Sequence, residues 1–72
     1  MEFDYSKLKG KIKEKYDTQL NFSKVLGISE RSLTLKMNCK RDWRQNEIAK
    51  CIRLLDISPE NIGEYFFNKK VQ

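Results

Sequence analysis

The groups in this 72-residue chain that could do chemistry are mostly cations: 15 Lys and Arg against 10 Asp and Glu, no His and two Cys, for a formal charge of +5 and a pI near 9.4. Without His the commonest general base and the commonest zinc ligand are missing, and Cys39 and Cys51 alone cannot close a four-ligand zinc site. The chemistry on offer is recognition of anions through ionic and hydrogen-bonding contacts. No metal, cofactor or small-molecule substrate is expected. A chain this short buries only about 60% of the surface its unfolded form exposes, enough for one core with little surplus for a deep substrate cleft. The expectation is a binding protein, not an enzyme.

The charge is uneven. Residues 7–15 carry five Lys against Glu14, residues 24–44 carry six basic groups against Glu30 and Asp42, and residues 56–64 carry Asp56, Glu60 and Glu64. Eight aromatics and many Leu and Ile supply enough apolar material for a fold rather than a disordered tail. The residues Met1-Glu2-Phe3-Asp4-Tyr5 lack the apolar run of a signal peptide, and no stretch approaches the roughly 18 apolar residues that span a bilayer. A membrane role for the Lys-rich first segment is also disfavoured, because its apolar residues are needed for the core. Two Cys and a positive balance fit a reducing cytosol and a polyanionic partner, with a disulfide between Cys39 and Cys51 the less favoured alternative.

These side chains must be held by short helices. Lys7 to Lys15 alternates in a way that could be read as a strand, but Tyr5, Leu8, Ile12 and Tyr16 recur at i, i+3, i+7 and i+11, one apolar stripe of a helix over 5–16 with Asp4 as N-cap. Thr18 caps a helix over 19–26 whose Phe22, Val25 and Leu26 share a face, and Gly27 stops it. Ser29 caps the next, with Glu30 in its first turn, Leu33 and Met37 inward and Asn38 at its end. Residues 39–44 form a basic loop anchored by Trp43, which covers the core. Ile48, Cys51, Ile52 and Leu55 mark a helix over about 45–56, and Ser58-Pro59 starts a last one carrying Ile62, Tyr65, Phe66 and Phe67. The expected architecture is all-α: a single domain over 1–72, a bundle of four to five short helices.

Residues 19–38 combine two short helices, a Gly pivot, small Ser23 at the crossing, and Phe22, Leu26, Ile28 and Leu33 at offsets that let them meet, which together describe a helix-turn-helix. Here the sequence resembles the Cro/repressor-type helix-turn-helix family of temperate phages and their bacterial relatives. The resemblance runs over almost the whole chain: Thr18-Gln19, Leu26-Gly27-Ile28-Ser29, Ser32-Leu33, Lys36-Met37-Asn38 and the stretch from Leu54 to Ile62 follow the family pattern. The small size and aromatic tail look most like the early regulators of lysis–lysogeny switches, either Cro-like proteins or anti-repressors of the modulator-of-repression type. Cys39 departs from the pattern, standing where the family usually has Gly.

The resemblance implies a lambda-repressor-like fold whose second motif helix enters the major groove of operator DNA while the first lies across the backbone. With Leu33 and Met37 inward, Arg31 and Leu35 point outward and Glu30 and Thr34 flank them. Arg31 then suits a bidentate contact to guanine, Thr34 and Leu35 a thymine methyl, Glu30 cytosine N4, and Gln19 a phosphate or an adenine edge. Lys24, Lys36, Lys40, Arg41 and Arg44 suit phosphates, which position the protein without reading sequence. Each of these has a plainer alternative: a solvated charge, an ion pair or, for Gln19, a packing contact.

Leu20 lies about 160° from Phe22 around its helix, and Leu35 about 160° from each of Leu33 and Met37. Two apolar residues on a face expected to meet DNA suit thymine methyls or a second protein equally. Tyr65, Phe66 and Phe67, in a tail over 62–72, either fold back onto the core or form another candidate association surface, for a second copy or for a different protein. The partners implied are double-stranded operator DNA, the lysogeny repressor, or both. A homodimer is the Cro-like arrangement.

Overall fold

A computed structural model of the chain describes residues 2–69. Among them five α-helices and one 3-10 turn follow in order: α1 (Ser6–Tyr16), α2 (Gln19–Leu26), α3 (Glu30–Met37), α4 (Gln45–Leu54), the 3-10 turn (Pro59–Asn61) and α5 (Ile62–Phe66). The fold is all-α, as the periodicities require. Phe3 and Lys69 form an isolated antiparallel bridge, with the Asp4 N–H donating to the Asn68 carbonyl at 2.6 Å.

The Lys-rich first segment is a helix because only helical spacing buries its apolar residues: Leu8 and Ile12 are 0% and 1% exposed. Removing such a side chain from water stabilises the fold by about 1.5–3 kcal/mol. The N-cap is Tyr5, one residue later than expected, but Asp4 still serves the helix start, since its Oδ1 accepts the Ser6 N–H at 2.9 Å.

In α2 and α3 the caps fall where the sequence put them. Thr18 Oγ1 accepts the Asn21 N–H at 3.1 Å, and Ser29 Oγ accepts the Ser32 N–H at 3.0 Å. The inward face of α2 differs by one residue. Phe22, Ser23 and Leu26 are buried, whereas Val25, expected beside them, is 43% exposed. Small Ser23 is what turns inward, its hydroxyl donating to the Leu20 carbonyl at 2.7 Å. That lets α2 and α3 pack closely and rotates Val25 out to solvent.

Three helices stop by the same device. The Ile28 N–H returns to the Ser23 carbonyl (3.1 Å), Lys40 to Leu35 (2.8 Å) and Ile57 to Ile52 (2.9 Å), the six-to-one bond of a Schellman stop. The residue at the left-handed position is Gly27 (φ 87°), Cys39 (φ 61°) and Asp56 (φ 55°) respectively. Only the first is the residue that adopts this conformation without a Cβ clash. Because Asp56 supplies such a stop, α4 ends at Leu54, two residues short of its expected end. Asp56→Gly should therefore raise stability by about 0.5–1 kcal/mol, read as a higher denaturation midpoint at unchanged m-value. A lower midpoint would show that the Asp56 side chain contributes more than its backbone strain costs.

The core is one cluster in which Tyr5, Leu8, Ile12, Phe22, Leu26, Leu33, Met37, Cys51, Leu55, Ile57 and Phe66 are all buried. α1 packs on α2 and α5, and α2 on α3 and α4. Trp43 covers the cluster from the 39–44 loop, its ring edge-on to Phe66 at 5.2 Å and to Tyr5 at 6.4 Å. Among the described residues no helix is long and apolar enough to cross a membrane.

Candidate recognition surface

The outer side of α2–α3 is built by what the inner side buries. With Leu33 and Met37 held in the core, Glu30, Arg31 and Thr34 are exposed on α3 and Leu35 is half-buried. On α2, Gln19 is half-buried, Lys24 is exposed and Leu20 is 43% exposed. The helix pair is held from behind by α4: Lys50 Nζ donates to the Leu26 carbonyl at 3.0 Å, placing a cation at the negative C-terminal end of α2.

Beside α3 the loop 39–44 is tied down. Arg41 Nη1 donates to Ser32 Oγ at 2.9 Å. Cys39 Sγ accepts the Phe3 N–H and donates to the Phe3 carbonyl, both at 3.4 Å, so the same loop also clasps the start of the chain. Arg44, whose N–H donates to Glu47 Oε1 at 2.8 Å, opens α4. Arg41 and Arg44 line one cleft of about 500 Å³ together with Ile28 and Ser32. Lys24, Lys40, Arg41 and Arg44 are all exposed.

Lys36 is not. Expected as a phosphate contact, it is 3% exposed, with Nζ 2.8 Å from Glu47 Oε1, 2.9 Å from the Asp42 carbonyl to which it donates, and 5.9 Å from the Trp43 ring centre. The physical reason is its place on the side of α3 that turns toward α4, where a carboxylate, a carbonyl and an indole replace its water. Burial pushes the Glu47 carboxyl up, but the Lys36 hydrogen bond, the Arg44 N–H and the charges of Lys36 and Arg44 outweigh it and hold it below its ordinary value. Burial drives the Cys51 thiol up to about 12, which leaves it an apolar filler at neutral pH.

At the other end, Phe66 is 2% exposed and belongs to the core, the first of its two expected fates, so it is not part of an association surface. The α5 register aims it at Trp43 and α1. Tyr65 is half-buried against the same cluster. Phe67 is 54% exposed, touching Phe3 edge-on at 5.9 Å. Residues 70–72 of the candidate tail surface lie outside the described residues.

Residues 1–69 match a family described as a protein of unknown function, DUF739. The chain belongs to this family. This DUF739 chain is also similar to the solution structure of the modulator of repression (MOR) of the temperate bacteriophage TP901-1 from Lactococcus lactis, at 49% identity and a TM-score of 0.82, over 100% of this chain and 97% of that one. No curated protein sequence matches it. The group in the DUF739 chain that sequence reasoning missed is the Lys36–Glu47 pair. Helical arithmetic could have flagged it, since Lys36 falls about 80° from the inward direction of α3, but the carboxylate that makes burial tolerable comes from another helix. The tie between Arg41 and Ser32 left no signal in the sequence.

Proposed function

We propose that this chain regulates a phage lysis–lysogeny switch by gripping the lysogeny repressor in the cytoplasm of the bacterial host, with the outer side of α2–α3 as the contact surface. The observation that carries the reading is the likeness, over its whole length, to a protein named for modulating repression. Two features of the surface favour a protein partner. Leu20 is an exposed aliphatic side chain where a phosphate backbone offers nothing apolar, and Lys36 is spent on Glu47 rather than left for a phosphate.

A second reading has its own support. If α2–α3 works as a helix-turn-helix, exposed Arg31, Thr34 and Glu30 are of the types that read base edges, and Lys24, Lys40, Arg41 and Arg44 are available to phosphates. In this reading a dimer on two half-sites binds operator DNA directly. Titrating the chain against the repressor and, separately, against an operator duplex at low salt decides between them. The first reading expects saturable repressor binding with weak, sequence-independent DNA affinity. Tight, sequence-selective duplex binding that Arg31→Ala relaxes and Lys40→Ala weakens at all sites alike would overturn it in favour of the second.

A further inference from the structure

The cleft beside α3 carries more information than its basic rim suggests. Lys36 and Glu47 neutralise one another at 2.8 Å, so the charges left to greet a partner are Arg41, Arg44 and, between them in sequence, Asp42. Neither Asp42 nor Arg44 forms an ion pair among the described residues. Arg41 spends one N–H on Ser32 Oγ, and the Ser32 hydroxyl keeps its own hydrogen to donate. Ile28 adds an apolar wall.

That set is poorly matched to a DNA backbone. A duplex presents one negative charge per about 1.7 Å of its axis, so phosphates following one another past Arg41 and Arg44 would also meet the Asp42 carboxylate. A single carboxylate on a protein surface makes no such demand. Arg binds it with two parallel N–H donors, a neighbouring hydroxyl adds a third, and Asp42 favours a cation next to it in the partner.

We infer that the cleft between α3 and the start of α4 takes an acidic side chain of a protein partner, held by Arg41, Arg44 and the Ser32 hydroxyl, with a basic neighbour of that side chain facing Asp42. This rests on the proposal that the partner is the lysogeny repressor and names the chemistry of one contact within it.

The test is calorimetric titration of the full chain with the repressor encoded in the same phage genome, and of the same proteins with an operator duplex. Arg44→Glu, Arg41→Glu and Asp42→Lys are compared with Leu20→Asp, with circular dichroism confirming that each variant folds. The Arg reversals should weaken repressor binding at least about tenfold and flatten its salt dependence. An Asp or Glu to Arg change in the repressor should restore binding to Arg44→Glu. If all three charge variants bind the repressor as the native chain does while Leu20→Asp does not, the cleft is overturned and the wider reading stands. If the native chain does not bind the repressor, both fall. If the Arg reversals cost duplex binding and leave repressor binding intact, the cleft holds a phosphate and the inference is wrong.

Discussion

Lys36→Ala is expected to lower the unfolding free energy by about 3–5 kcal/mol, because it leaves the Glu47 carboxylate in a site closed to most water with its main counter-charge gone. The side chains of Lys36 and Glu47 are only 4% and 15% exposed. For a domain of this size, holding in total about 4–11 kcal/mol, such a loss brings the chain close to unfolding. Glu47→Gln keeps a neutral acceptor beside Lys36 and is expected to cost less than Lys36→Ala. Replacing both partners by Met removes the two desolvated charges together and should cost far less than Lys36→Ala alone. Urea denaturation of the set is the measurement. A Lys36→Ala loss below about 1 kcal/mol, the range of an exposed pair, would mean that the two charges are solvated.

The pair also sets a pH dependence whose sign follows from Glu47. Its carboxyl titrates lower in the folded chain than its ordinary value of 4.5. The stabilisation is therefore fully present above that value and is lost as pH falls through it and through the lowered folded value. Stability should decline on acidification in that window, and more steeply in the native chain than in Glu47→Gln, which has no such proton to take up. Parallel acid profiles for the two proteins would remove Glu47 as the cause.

The second large effect concerns association. Leu20→Asp is expected to weaken binding to the repressor by at least about 2 kcal/mol, roughly thirtyfold, while leaving the circular dichroism spectrum and the denaturation midpoint essentially unchanged. The reason for the separation is exposure: at 43% exposed, on the opposite side of α2 from Phe22, Leu20 contributes little to the core and much to whatever covers it. Leu35→Asp is the less clean probe, since Leu35 is half-buried and some of its effect will be on stability. Undiminished binding by Leu20→Asp would move the contact surface away from α2–α3.

Much of the framework was legible from local signals. The stripe through Leu8 and Ile12, the caps Thr18 and Ser29, the stop at Gly27 and the start at Pro59 act within a turn or two of chain, so their effects can be read without knowing the fold. The errors arise where a residue's fate depends on a distant partner. Val25 turns to solvent because α2 is set by Ser23 packing at its crossing with α3, where the small side chain was expected. Of the two fates open to Phe66, Trp43 meeting it from the 39–44 loop decided for the core. Lys36 looked like a surface cation because nothing within one helix announces Glu47.

Sequence alone thus determined an all-α chain with a tight two-helix unit over 19–38, since capping, the Gly27 stop and apolar periodicity are local and fix each element's type and, for α2 and α3, its ends. It also determined a surplus of cations, concentrated over residues 7–15 and 24–44, that a partner could meet. Which cations remain for that partner was decided only by the tertiary structure. Burying Lys36 against Glu47, tying Arg41 to Ser32 and leaving Asp42 and Arg44 without an ion pair among the described residues are outcomes of three-dimensional proximity, and an ionised side chain can leave water only where the fold supplies its counter-charge.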